Sequence, residues 1–338
     1  MLQEALARLL DGRDLTRADA RGVMGAIMAG EGTPAQIAGV LVALRAKGET
    51  ADEIAGCAEA MREHVVPVRP RRDDLVDTAG TGGDGARTVN ISTAAALVAA
   101  AAGAGVAKHG NRAVSSACGS ADVLEELGFR LEVPPERIAR SIDELGFGFM
   151  FAPLHHPAMR NAAPVRRELG TRTVFNVLGP LTNPAGARAQ VLGVYSPELV
   201  RTLADVLARL GARRAFVVHG AGGLDELSPA GPNLVCEVVE GSVSQREIDP
   251  ADLGIPRCSA GDLAGGSPEE NAAAVRRTLE GGDGPVRDAV LLNAAGAIAA
   301  AGHAHDLREG LDRARKAVDS GAAAERLDAL AAFSRQDD

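Results

Sequence analysis

The stretch that most limits what this chain can fold into is a short apolar strand, Leu75-Val76-Asp77, that runs straight into Thr78-Ala79-Gly80-Thr81-Gly82-Gly83-Asp84. Thr88-Val89-Asn90-Ile91-Ser92-Thr93 then opens an alanine-rich helix extending to Ala102. Strand, glycine turn and helix make a unit of a parallel sheet. They also make a phosphate cradle. Glycines let backbone N–H groups approach an anion without a Cβ clash, and the helix start adds unsatisfied donors and a positive dipole end. Thr88, Ser92 and Thr93 can add hydroxyl donors. The same glycines also suit a loop that only turns the backbone. No Lys-Ser/Thr follows them, so this is not a nucleotide P-loop, and the pattern is not GxGxxG.

The sequence before this unit reads as helices only. Thr16 precedes Asp19 at near capping-box spacing, Thr33-Pro34 supplies an N-cap and a first-turn proline, and Thr50 precedes Glu53. Ile37, Val40, Leu41 and Leu44 recur at helical spacing up to a stop at Gly48. Pro67, Pro70 and Arg69, Arg71 and Arg72 read as an extended linker. Beyond it strands alternate with helices. Strands are predicted at 106–107, 129–133, 147–151, 191–195, 215–218 and 235–239, and helices at 120–127 and 135–145 and after Ser196-Pro197 and Ser267-Pro268. Residues 155–190 break the rhythm: 155–169 looks helical and 171–185 is loop-rich, as if the chain crossed back to the first unit or formed a seam. The expected fold is α/β. A small all-helical domain spans 1–68 with a returning segment at about 160–190, and a larger α/β domain spans 73–155 and 190–335 around a central mixed, largely parallel sheet.

Composition narrows the function classes. The formal net charge of −9 opposes binding of DNA or RNA through a general basic field, so a phosphate site here must be local. With no Trp, one Tyr and seven Phe, the core must rest on Ala, Leu, Val and Ile. Cys57, Cys118, Cys236 and Cys258 are scattered without a CxxC pair, which argues against a zinc site or a disulfide framework and fits a reducing compartment. Met1–Asp14 lacks the basic and apolar regions of a leader. The apolar run Ala94–Ala107 contains two glycines and is too short for a bilayer. A cytoplasmic protein with no membrane and no nucleic-acid partner is expected.

Three further blocks carry chemistry. Lys108-His109-Gly110-Asn111-Arg112-Ala113-Val114-Ser115-Ser116, followed by Gly119-Ser120, is expected after a strand at the same sheet edge as the glycine loop. Its cations, amide and hydroxyls suit a phosphorylated sugar, and would equally suit a polar solvated turn. Asp225-Glu226, after the strand ending at His219, suits Mg²⁺, which takes oxygen ligands and retains waters and substrate phosphates; an exposed acidic turn is the alternative. Arg166-Arg167 offers a planar fork for a carboxylate, although helix-surface arginines are usually just solvated. His155-His156 lacks a third ligand at metal spacing and reads as structural.

Seven motifs now stand in one order: Gly80-Thr81-Gly82-Gly83-Asp84, Asn90-Ile91-Ser92-Thr93, Lys108 to Ser116, His155-His156-Pro157, Val165-Arg166-Arg167-Glu168-Leu169-Gly170, Phe175-Asn176-Val177-Leu178-Gly179-Pro180-Leu181 and Leu224-Asp225-Glu226. Together they resemble the anthranilate phosphoribosyltransferases of tryptophan biosynthesis, over most of the chain. Val89, where an aromatic is common, and Cys118 are mild departures. The resemblance implies a homodimer joined through the helical domain and an active site at the seam between domains. It implies that Gly80, Gly83, Asp84, Thr88, Asn90, Ile91, Ser92, Thr93, Lys108, His109, Gly110, Asn111, Arg112, Ala113, Val114, Ser115, Ser116 and Ser120 bind phosphoribosyl diphosphate. Gly80, Asn111 and Arg166 would face anthranilate, and Ser92, Asp225 and Glu226 would hold two Mg²⁺ ions. No side chain is implied as acid, base or nucleophile. Two other readings share the fold: a pyrimidine nucleoside phosphorylase, which lacks the Lys108–Asn111 block and the Asp225-Glu226 pair, and a non-catalytic nucleic-acid binder, which the acidic charge opposes.

Overall fold

The structure, a computed structural model, describes residues 1–113 and 117–336. Four helices open the chain: α1 (Leu2–Leu10), α2 (Arg17–Ala29), α3 (Pro34–Lys47) and α4 (Ala51–Glu63). Thr16, Thr33 and Thr50 each accept a hydrogen bond from the backbone three residues on, and Asp19, Gln36 and Glu53 return one, so all three predicted starts carry complete capping boxes. Such a cap contributes about 1 kcal/mol. The backbones of α2 and α4 come very close at Gly56, where a Cβ would lie 2.2 Å from Arg17 O.

A seven-stranded sheet follows: β1 (Leu75–Asp77), β2 (Gly105–Gly110), β3 (Phe147–Phe151), β4 (Ala189–Gly193), β5 (Arg214–His219), β6 (Asn233–Val239) and β7 (Ser242–Ile248). The spatial order is β3-β2-β1-β4-β5-β6-β7. β1 to β5 are parallel, and β6 and β7 add antiparallel at one edge. Strand alternation divides the core. Val191, Phe216, Val218 and Val235 face α5 (Ile91–Ala101) and the helix Pro285–Ala301. Leu192, Ala215, Val217 and Cys236 face the helix Glu198–Arg209 and join one apolar cluster with α1 to α4. The helical bundle is therefore packed into the second layer of the sheet.

After β3 the chain returns to that bundle. Ala162, Val165, Phe175, Leu178 and Leu181 are buried in the same cluster as Ile27, Leu41 and Ile54. The crossing segments are bonded to one another: Val66 N donates to His155 O at 2.8 Å and Val68 N to Pro184 O at 3.1 Å.

Three sequence expectations change. Residues 129–133 form no strand; Phe129 and Leu131 are buried while Arg130 and Glu132 are not, so the alternation records a loop lying on the core rather than a sheet ladder. Residues 155–169 are not one helix but Ala152–His155, a 3₁₀ turn Pro157–Asn161 and Ala163–Leu169, since Pro157 and Pro164 lack the N–H a continuous helix needs. β7, which the sequence analysis omits, closes a two-residue hairpin at Glu240 and Gly241, both with positive φ.

Gly56→Ala should lower stability by about 1–3 kcal/mol, because the helix backbones must separate to admit the methyl. Thermal unfolding should shift down by several degrees; an unchanged midpoint would mean that α2 and α4 can part freely.

Candidate active site

The loops that leave the C-terminal ends of β1, β2, β4 and β5 meet at one edge of the sheet, where open α/β sheets bind ligands. Asp77, at the end of β1, is fixed first. Its Oδ1 accepts from Thr78 N at 2.7 Å and His109 N at 3.2 Å, and its Oδ2 from Asn183 Nδ2 at 2.7 Å. Burial pushes this carboxyl up to about 6, against the pull of the Lys108 charge.

Lys108 is only 2% exposed. It lies within β2 rather than in the loop after it, a correction to the sequence expectation. Its Nζ donates to Thr78 O at 3.2 Å, to Thr78 Oγ1 at 3.0 Å and to Ser92 Oγ at 3.5 Å. Burial lowers the pKa of the ammonium, while Asp77, Glu226 and Asp225 oppose the shift. One buried cation thus ties the glycine-loop entrance to the first turn of α5 and faces three carboxylates.

The glycine loop and the acidic pair lie against each other. Gly82 N donates to Asp225 Oδ2 at 2.7 Å, Ser92 N to Glu226 Oε1 at 3.2 Å and Asp225 N to Asp84 Oδ2 at 3.3 Å. Neighbouring backbone is stripped to glycine: a Cβ at Gly80 would lie 2.7 Å from Asp225 Oδ2, and one at Gly193 would lie 1.5 Å from Asp225 O. Burial, and then the Asp84 charge, raises the Asp225 carboxyl; burial, and then Asp225, raises that of Glu226. Among the described residues no three His, Cys, Asp or Glu side chains close a metal cage by themselves. The donor set still fits Mg²⁺: hard oxygens and adjacent recessed carboxylates that repel one another, beside a glycine-rich loop.

The remaining sequence candidates lie around α5, in β2 and in the loop after it. Around α5, Thr88 bridges Ala264, Asn90 Nδ2 donates to Cys118 O at 3.2 Å, and Asn90 Oδ1 accepts from Asn271 Nδ2 at 2.9 Å. Ile91 and Thr93 are buried in the helix. After β2, Asn111 O accepts from Ser120 Oγ at 3.2 Å, and Ala113 N donates to Asp122 Oδ2 at 2.9 Å. Arg112 pairs with Asp122 and Glu125. Val114, Ser115 and Ser116 lie outside the described residues. Gly110 is packed so closely that a Cβ would lie 2.2 Å from Ser120 Oγ. His109 Nδ1 donates to Gly179 O at 3.1 Å, and its ring centroid is 4.9 Å from that of His156. Burial pushes His109 down to about 3 and His156 to about 4, so both rings stay neutral near pH 7.

The two arginines of the returning segment differ. Arg166 is recessed, its guanidinium carbon 4.8 Å from the centre of the Phe175 ring, and burial lowers its pKa; among the described residues no carboxylate pairs with it. Arg167 is exposed. Residues to which sequence reasoning gave no role also lie around this recess: Thr78, Asn183, Gly193, Tyr195, Asn271 and Arg172. Of these only Thr78 lies in the glycine stretch that opened the sequence reading, and none lies in the seven motifs.

Comparison with known proteins now decides the family. A curated anthranilate phosphoribosyltransferase from Moorella thermoacetica is 53% identical over 98% of this chain and 98% of its own length, and one from Anaeromyxobacter dehalogenans is 57% identical over the same shares. The chain belongs to the anthranilate phosphoribosyltransferase family. Residues 3–65 match the glycosyl transferase family helical bundle domain, and residues 72–324 match the glycosyl transferase family a/b domain. The crystal structure of anthranilate phosphoribosyltransferase from Thermus thermophilus superposes with a TM-score of 0.94 at 53% identity, covering 98% of this chain and 99% of that one. The Saccharomyces cerevisiae anthranilate phosphoribosyltransferase in complex with PRPP and Mg gives 0.90 at 29% identity, covering 98% and 97%.

Gly193→Ala should push the Asp225-Glu226 loop away from the glycine loop, since the methyl would overlap Asp225 O. The expected result is a folded protein whose melting temperature no longer rises on adding Mg²⁺ with phosphoribosyl diphosphate. An unchanged ligand-induced rise would show that the carboxylates need no such approach.

Proposed function

We infer that this chain transfers the phosphoribosyl group of 5-phosphoribosyl 1-diphosphate to the amine of anthranilate, releasing diphosphate, the second step of tryptophan biosynthesis from chorismate. The observation that carries this reading is the glycine loop facing the carboxylate pair, with Gly82 N–H on Asp225 Oδ2 and Lys108 buried beneath. The enzyme uses magnesium. In our reading two ions are held by Ser92, Asp225 and Glu226, and the chain works in the cytoplasm as a homodimer joined through α1 to α4.

Phosphoribosyl diphosphate is assigned to the loop of Gly80, Gly83 and Asp84, to Thr88 and Asn90 to Thr93, and to the block from Lys108 through Ser116 with Ser120. The loop N–H groups and the start of α5 are preorganised donors for oxygens whose charge grows as the diphosphate departs. The chemistry a bound magnesium supplies is neutralisation of that same charge. The ribose becomes cationic at C1 as the diphosphate departs. The attacking aromatic amine is itself neutral near pH 7, so no strong base is needed. Gly80 and Asn111 line the anthranilate side, and Arg166 takes the carboxylate. The chain's main contribution is to hold amine and C1 in line while excluding water.

Two outcomes test this assignment, each followed by loss of anthranilate fluorescence. Asp225→Asn combined with Glu226→Gln should lower turnover roughly hundreds-fold, as loss of a transition-state electrostatic contact typically does, and near-normal turnover at limiting Mg²⁺ would overturn the metal assignment. Arg166→Ala should raise the anthranilate KM roughly thirtyfold or more, as truncation of a buried Arg–carboxylate pair does, with little change for the other substrate. Arg167→Ala should change neither. Equal effects at 166 and 167 would mean that another residue reads the carboxylate.

A further inference from the structure

We propose that Arg172 is a positioning residue for the glycine loop, a tether that reaches across the seam from the returning segment and holds Gly82-Gly83 in its phosphate-binding shape. The inference rests on the transfer reading above.

The tether has a rigid base. Arg172 follows the helix Ala163–Leu169, which carries Arg166, and precedes the helix Phe175–Leu178. Thr173 is 5% and Val174 1% exposed, and Thr173 N donates to Asn176 Oδ1 at 2.9 Å. From this base the side chain leaves the helical unit. Its guanidinium carbon lies 3.9 Å from the centre of the Tyr195 ring, just beyond β4, and its Nη2 donates to Gly83 O at 2.6 Å. Tyr195 is itself tied to the loop, since Tyr195 N donates to Thr81 Oγ1 at 3.2 Å. Thr81 N donates back to Gly193 O at 2.9 Å. Arg172 and Tyr195 thus grip the loop on both sides of Gly82, whose N–H points at Asp225 Oδ2.

The loop needs such a grip. Gly82 and Gly83 both have positive φ, at 63° and 78°. Glycine reaches that region without strain but leaves it as easily, and ordering it costs more backbone entropy than any other residue. If the binding-competent loop is only a fraction of the population, apparent affinity falls by that fraction. Arg172 is exposed and, among the described residues, forms no ion pair, so its removal leaves the cores intact. Arg166 is anchored separately, by Phe175, so the anthranilate side does not depend on the tether.

The test is steady-state kinetics of Arg172→Ala, Arg172→Lys, Tyr195→Ala and the Arg172→Ala/Tyr195→Ala double variant, varying each substrate in turn. Arg172→Ala should raise the KM for phosphoribosyl diphosphate about tenfold, with kcat at saturation and the anthranilate KM within about twofold of the parent. Lysine should recover part of the loss, since an ammonium can reach Gly83 O but lacks the flat face that stacks on Tyr195. Tyr195→Ala keeps the backbone N–H on Thr81 Oγ1 and removes only the ring against which Arg172 stacks, so it should act in the same direction, and the double variant should be no worse than Arg172→Ala alone. An equal rise in both KM values, a fall in kcat at saturation, full rescue by lysine, or additive losses would each overturn the proposal. Failure of the unaltered protein to consume anthranilate would instead overturn the transfer reading.

Discussion

An ammonium sealed from solvent is stable only where oxygen atoms surround it, and the contacts of Lys108 set the positions of nearly everything else in the site. Its Nζ gathers Thr78 and Ser92, so the exit of β1 and the start of α5 must meet above β2. Its charge is opposed by Asp77, Glu226 and Asp225, which lets three carboxyl groups sit in one recess that would otherwise repel them apart. Truncating the lysine would remove one contact and also leave those carboxylates uncompensated. The Gly82 and Ser92 N–H groups then complete the recess with donors already turned toward it.

The second core explains how the site's two halves keep their spacing. Because α1 to α4, the returning segment and one face of the sheet bury their side chains in a single cluster, the seam is packed rather than open. Any movement of Arg166 relative to the glycine loop must shear apolar side chains past one another, and interiors of that density resist gradual deformation. The hydrogen bonds from Val66 to His155 and from Val68 to Pro184 bind the crossing strands of chain at the same place. The spacing between Arg166 and the glycine loop is therefore a property of the core, and the polar groups inherit it.

Much of this architecture was legible in the sequence because its signals are local. Thr16, Thr33 and Thr50 announce helix starts through residues three positions away, and the glycine loop carries its chemistry within eight residues. What failed was whatever depends on distant partners. Residues 129–133 alternate like a strand because burial alternates, yet alternation says nothing about whether a neighbouring strand exists to pair with. β7 is too polar to read as a strand and is held by its hairpin to β6. Lys108 looked like a loop cation because nothing nearby shows that Thr78 and Ser92 surround it. Arg172 gave no signal at all, since its partners Gly83 and Tyr195 are contributed by other parts of the chain.

The hairpin at the far side of the sheet has a consequence of a different kind. β7 is the outermost strand there, and along Ser242-Val243-Ser244-Gln245-Arg246-Glu247-Ile248 most side chains are exposed. Arg246 reaches back to Glu237 across the hairpin. An edge dressed in charge and hydroxyls is a poor template for another molecule's strand, because each approach would strip water from groups that gain nothing in return. The polar hairpin closes this edge of the sheet to further pairing.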